Sequence, residues 1–259
     1  MLHNHYPVFT KGRILKLEML ENLRDYPRWM LDILHTDLSD GIVAGMDITV
    51  RENTLMISKG VIKQAGKVYV IEEEQQISYA SHGTEQVLRI RCLPEQHGKD
   101  FMAYPVEIVL DGRSADPSSE LELARFKLKP GASLRSSYES FADFATEFNT
   151  LNRIYAAYAS LDKSTFYPDA LRYFARMVMD AGGGQANDYA FAMQVLSSER
   201  PTCRDAVLYY IGIRLGTGYR TLDNGQIHKY LNRILEEIRS GSRGRNDYRG
   251  SGIQRMLVD

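Results

Sequence analysis

The chain has 259 residues, 44% of them apolar and 25% charged, with a formal net charge of −1. These figures suit an ordinary soluble globular protein of one large or two ordinary domains. They exclude a chain whose whole surface attracts nucleic acid or anionic membrane, and no apolar run approaches the roughly 20 residues that cross a bilayer.

Two cysteines, Cys92 and Cys203, stand far apart, and neither belongs to a CxxC pair. A reduced compartment is the simple reading, with one structural disulfide as the alternative. The opening MLHNHYPVFTKGR lacks a continuous apolar core, so no secretory signal and cytoplasmic synthesis are expected.

Residues Ile14 to Leu38 read as helical. Ile14, Leu17 and Leu20 fall on one side, with Leu15, Met19 and Leu23 beside them. Pro27 sits where a second helix could start, because its fixed φ suits a first turn. Met30, Leu31, Leu34 and Leu38 continue one stripe, with Trp29 beside it.

From Gly41 the period changes to two. Met46, Ile48 and Val50 alternate with polar residues, and a turn at Arg51-Glu52-Asn53 leads to Leu55 and Ile57. After Gly60, Val61-Ile62 runs to an Ala65-Gly66 turn, and Val68 and Val70 follow. This is the pattern of an antiparallel meander. Gln86–Cys92 and Val106–Leu110 read as two further strands, and Leu121, Leu123, Phe126 and Leu128 as a last one with imperfect alternation. The turn-rich Asp111–Ser119 reads as an exposed loop.

Lys129–Ser137 breaks the pattern and marks a domain boundary. Beyond it Tyr138, Phe141, Phe144, Ala145 and Phe148 form an aromatic stripe at helical spacing. Pro168 opens a helix that Gly182 stops. Asn187-Asp188 can cap the next, Thr202 the one after, and Asp223 the last, which ends at Gly241. The expected organisation is α+β: a helical segment 1–38, a small antiparallel β-sandwich or barrel-like domain 39–132, a helical bundle 133–240 and an Arg/Gly-rich tail 241–259. The tail is expected to order only when docked.

Little in the chain suggests chemistry. His3-Asn4-His5 lacks partners at zinc spacing, since His35, His82, His97 and His228 are scattered. Gly182-Gly183-Gly184 is followed by Gln185-Ala186 and lacks the Lys-Ser/Thr pair of a phosphate loop; Gly212, Gly216 and Gly218 lack dinucleotide spacing. Glu72-Glu73-Glu74 lies at a strand end, where alternate residues point apart. Asp143 and Glu147, four apart, could share a helix face, but such pairs are common on exposed faces. Cys203, just past a helix cap, alone has a mild argument as a nucleophile. No catalytic residue, cofactor or metal is assigned. The candidate interface residues are Tyr138, Phe141, Phe144 and Phe148, which suit a core or an interface, and Arg243, Arg245, Arg249, Met256 and Leu257 in the tail.

Three stretches together resemble a known family. They are Gly41 to Val50 (GIVAGMDITV), Leu55 to Ile62 with Gly66 to Tyr69 (LMISKGVI and GKVY), and Glu120 to Ala132 (ELELARFKLKPGA). In order and rough spacing the series is similar to the N-terminal attachment domain of bacteriophage tail-fibre and baseplate structural proteins, over about residues 39–132. The resemblance implies a role in assembly and transfers no catalytic residue. The helical segments before and after the β unit, with no fibrous repeat, look less like a fibre than like a baseplate or tail-associated component of a phage or phage-derived contractile particle. Its expected partners are other tail or baseplate subunits in a homo- or hetero-oligomer, with open strands and amphipathic helices as docking elements. Two alternatives stand beside it: a nucleic-acid-associated protein using the Arg/Gly tail, and a hydrolase whose site is assembled from scattered residues.

Overall fold

The computed structural model describes residues 4–146 and 148–241. The expectations for Glu147 and for Arg243, Arg245, Arg249, Met256 and Leu257 fall outside those residues. The described chain is α+β: one helix, eleven strands in small antiparallel sheets, then four helices.

Helix α1 spans Leu17–Leu34 and runs through Pro27 without a break. The expected second helix start at Pro27 is therefore not seen. A proline costs an interior helix one hydrogen bond, and here the apolar pattern continues unchanged on both sides of it.

Strands β1 (Gly41–Gly45), β4 (Gly60–Gln64) and β5 (Lys67–Ile71) form one sheet in the order β1-β4-β5. Strands β2 (Ile48–Arg51), β3 (Thr54–Ile57) and β6 (Gln75–Ser78) form a second, in the order β2-β3-β6. The two hairpins turn at Glu52 (φ 51°) and at Ala65-Gly66 (φ 50° and 74°). Gly45 and Gly60 are required by the close approach of β1 and β4. A Cβ at Gly45 would lie 2.2 Å from the Lys59 carbonyl oxygen, and one at Gly60 2.6 Å from that of Ala44.

The third sheet joins β7 (Glu85–Cys92), β10 (Val106–Asp111) and β11 (Glu120–Lys127), with β7 in the middle. A short ribbon, β8 (Gln96–His97) with β9 (Met102–Ala103), projects from it. The imperfect alternation of β11 has a cause: the register with β7 shifts between Glu122 and Ala124. The extra residue lets Leu123 and Ala124 both point into the core.

Between β11 and the later helices the chain forms an irregular strap. Single bridges tie it to β11 at Asn152 and Phe148 and to β1 at Tyr158. The helical spacing of Tyr138 to Phe148 does not become an α-helix; among the described residues of that stretch the regular element is the 3-10 turn Ala142–Ala145. Asn149, at φ 59°, turns the chain back at its end.

Helices α2 (Pro168–Ala181), α3 (Ala186–Ser197), α4 (Arg204–Leu215) and α5 (Asn224–Arg239) pack as a bundle, α2 against α3 and α5, and α4 against α3 and α5. Pro168, Gly182 and Asp223 punctuate it as expected. Two caps differ by a few residues. Gln185, with Asp188 at the third helical position, caps α3. Cys203 occupies the cap of α4, while the Thr202 carbonyl accepts from the Thr165 hydroxyl at 2.6 Å. One continuous apolar core runs from Ile42 in β1 to Ile238 in α5, and α1 contributes no buried residue to it.

Candidate docking surface

Helix α1 has a one-sided sequence. Projected at 100° per residue, Ile33, Tyr26, Met19, Met30, Leu23, Leu34, Pro27, Leu20 and Leu31 cover about 160° of arc. Glu18, Glu21, Asp25, Arg28 and Asp32 lie opposite. In a globular protein the apolar arc of such a helix faces the core. Here it does not.

The side turned to the body is the polar one. A groove of about 790 Å³ separates α1 from the β-sheet, with Arg24, Asp25, Arg28 and Asp32 on the helix wall beside Pro27 and Leu31, and β5 and Tyr104 on the other. The Arg28 guanidinium sits over the Tyr104 ring, 4.4 Å from its centroid. The second anchor is Lys63 in β4, whose buried ammonium donates to the carbonyls of His35, Thr36 and Leu38 at 2.8, 3.0 and 2.6 Å. His35 caps α1 and Thr36 and Leu38 follow it, so this cation gathers the turn that leaves the helix, where the negative end of the dipole lies. Polar contacts thus hold α1 to the body.

Much of the apolar arc is left in solvent. On it Leu20, Leu23, Met30, Ile33 and Leu34 are 41–70% exposed, with Trp29 exposed at its edge, while Met19, Tyr26 and Leu31 are half-buried. The N-terminal arm extends this surface: Tyr6 packs on Tyr26 at 5.6 Å between centroids, and Val8 and Phe9 are exposed beside it. Single exposed apolar residues are ordinary, but a contiguous stripe of this length marks an interaction site.

If Lys63 positions the helix, Lys63→Met should free its last turn. Loss of three charge-assisted bonds is expected to remove about 2 kcal/mol of local stability. The amides of His35 and Leu38 should then exchange roughly 30-fold faster. Unchanged exchange would show that α1 is held by something else.

The aromatic candidates lie elsewhere. Phe141 and Phe144 are interior, and Tyr138 stacks on Phe144 at 3.9 Å and donates its hydroxyl to the Leu151 carbonyl. Phe141 also stacks on His228 at 4.7 Å, and the His228 ring meets the Phe141 carbonyl at 2.8 Å. Phe148 is half-buried beneath Lys127 and Lys129. These side chains tie the strap to α5 and α2.

The residues weighed for chemistry do not converge. Asp143 accepts from Arg135, Thr146 and the Glu139 amide. Burial pushes its carboxyl up, but those hydrogen bonds outweigh it and hold the group below the usual carboxylate range. Glu72, Glu73 and Glu74 are exposed in the loop between β5 and β6. Burial pushes the Cys92 thiol up to about 11, where it is protonated and unreactive. Cys203 and His35 both line an apolar groove of about 490 Å³ between the end of α1 and the α3–α4 loop, with no hydrogen bond joining them. Among the described residues no group of three or more metal-ligating side chains comes together, and no helix is long and apolar enough to cross a membrane.

One sign of this surface is local in the sequence, the apolar stripe that passes through Leu20 and Leu23. It did not show which way the stripe faces, because that depends on Lys63 and Tyr104, distant in the chain.

No family model matches this sequence, and no curated protein does. Two solved structures share a coarse likeness of shape. A crystal structure of TssK matches with a TM-score of 0.43 at 10% identity, covering 92% of this chain and 69% of that one. A cryo-electron-microscopy structure of the type VI secretion system TssK-TssF-TssG baseplate subcomplex matches with a TM-score of 0.38 at 9% identity, covering 90% of this chain and 99% of that one. Scores of this size bear on neither the family nor the function of this chain.

Proposed function

We propose that this chain is a structural subunit of a phage tail or phage-derived contractile particle, of the baseplate or tail-associated kind, and that it acts by docking to other subunits and not by catalysis. The observation that carries the docking is the outward apolar face of α1. A helix that presents its polar side to its own fold and its apolar side to water gains nothing as an isolated chain. It gains burial of a long apolar stripe once a partner covers it.

The tail or baseplate setting is supported by the motif series of residues 39–132. The glycines of that series have a steric role, since Gly45 and Gly60 let β1 and β4 approach closely. The Leu123-Ala124 pair is buried at the β11 bulge. The nucleic-acid alternative depends on arginines outside the described residues, and nothing in the described chain favours it.

The test is a double substitution, Leu23→Glu with Ile33→Glu, in a tagged chain expressed in the source cells. Neither residue is buried, so the melting temperature of the purified variant should stay within the effect of surface changes, about ±0.5 kcal/mol. The parent chain should co-sediment with large particles, and the variant should be lost from them. A variant that enters particles as well as the parent, or a parent that never does, overturns the proposal.

A further inference from the structure

Helix α3 lacks the charged outer face of an ordinary surface helix. Its one charged residue, Asp188, is buried against Arg214 and Tyr210. Asn187, Ala190, Met193, Gln194 and Ser197 follow one another at three- and four-residue spacing, and all are exposed. One end of this uncharged face reaches the apolar groove of about 490 Å³, where Leu34, Leu38, Leu161 and Pro201 line the walls beside Gln194. Two exposed charges also line that groove, Glu199 and Arg200, and neither forms an ion pair among the described residues.

The other end of α3 lies against the end of α5. A Cβ at Gly183, two residues before the α3 cap, would stand 2.5 Å from the Ile238 carbonyl oxygen in the last turn of α5. The chain that leaves α5 therefore starts at one end of the uncharged face, and the groove lies at the other. The distance between them is about the length of α3, 12 residues or about 18 Å. Residues 242–252, which lie outside the described residues, span up to about 36 Å when extended.

We infer that residues 253–259 of this chain (IQRMLVD) dock in that groove, reached by residues 242–252 running past α3. Composition singles out this segment. Ile253, Met256, Leu257 and Val258 are, with Tyr248, the apolar residues of 242–259. Arg255 and Asp259 flank Met256–Val258, opposite in sign to the groove's unpaired Glu199 and Arg200. The intervening residues carry Gly244, Gly250 and Gly252, which suit a supple tether. A short tether holds its end at an effective concentration on the order of millimolar, so burial of a few apolar side chains is enough to fill the groove. The inference goes beyond the docking of α1 and does not rest on it, because Leu23 and Met30 lie outside the groove.

The experiment uses the purified full-length chain and reads the groove through its own Cys203. Labelling with a thiol reagent is followed by peptide mapping, which separates Cys203 from Cys92. Met256→Glu with Leu257→Glu should raise the labelling rate at Cys203 roughly tenfold or more. Met256→Leu with Leu257→Met keeps the apolar character and should keep the parental rate. Cys92, in the central strand β7, reports unfolding and should label equally slowly in all three chains. In a Leu257→Cys chain, mild oxidation should join position 257 to Cys203 within one molecule, at a rate independent of protein concentration. Ser242→Cys, close to α5 in sequence, should not cross-link. An unchanged Cys203 rate in the glutamate variant overturns the inference, and so does equal cross-linking from Ser242→Cys. Cross-links that form only between chains also overturn it and give the groove to a neighbour's segment.

Discussion

Arg89→Met is expected to destabilise the chain by about 3–5 kcal/mol, the range for breaking a buried ion pair by removing one partner. Arg89 lies in the central strand β7 and has no exposed surface. Its guanidinium pairs with Asp111 on β10 at 2.7 Å and with Glu120 on β11 at 3.4 Å, and it donates to the Arg113 carbonyl. One cation thus joins the three strands of its sheet. Glu120 is itself buried and also accepts from Arg91 at 2.8 Å. Methionine fills most of the arginine's volume but returns none of this pairing. Two carboxylates then stand together, with Arg91 and Arg113 at the margin as the remaining cations.

The same cluster sets a dependence on acid. The Arg89 hydrogen bond, then those of Arg113, hold the Asp111 carboxyl down at about 2. A carboxyl whose folded pKa lies below its unfolded value, near 4, contributes stability that is complete above the unfolded value. That contribution is lost as pH falls from about 4 toward 2. The parent should therefore lose denaturant stability across that window. The Arg89→Met variant, starting lower, should show a shallower loss there. Denaturant titrations at pH 6, 4 and 3 read both effects. A variant within 1 kcal/mol of the parent at pH 6 would show that the cluster is not what joins β7, β10 and β11.

Phe174→Ala should be of similar size, about 3–5 kcal/mol, from lost burial plus the cavity left behind. Phe174 is fully buried in the middle of α2. Its ring meets Phe141 of the strap at 5.6 Å, Phe191 of α3 at 6.4 Å and Tyr210 of α4 at 6.0 Å. Phe191 and Tyr210 stack at 4.0 Å, nearly parallel, and their fixed geometry limits how far the site can collapse. At roughly 2–4 °C per kcal/mol for chains of this size, the melting temperature should fall by about 10 °C. Phe174→Leu, which keeps most of the volume, should cost about 1 kcal/mol. Equal costs for the two would mean that the cavity closes.

The two substitutions probe opposite parts of the molecule, yet both act in the interior. The charged substitutions on α1 act outside it. This separation makes the docking proposals testable, since assembly can be removed without unfolding the chain.

Some of this protein was set by residues close together in sequence. The hairpins of residues 48–71 follow from alternation and from turns that neighbouring residues dictate. Helices α2 and α5 follow from apolar spacing with a proline, a glycine and an aspartate at their ends. The α+β class and the one-sidedness of α1 belong to the same kind, because period and capping are local.

Tertiary structure decided the rest. Arg89 is a charged residue within a strand, and it is interior because Asp111 and Glu120 arrive from other strands to neutralise it. Tyr138, Phe141 and Phe144 read as a helical stripe but hold an irregular strap into the core, where Phe174 and His228 receive them. The facing of α1 was settled by Tyr104, which holds its polar side, and by Lys63, which holds the turn after its end, and together they leave Leu20 and Leu23 outward. A period can be read from neighbours in the chain; burial is a property of what packs alongside, and those groups come from far away in sequence.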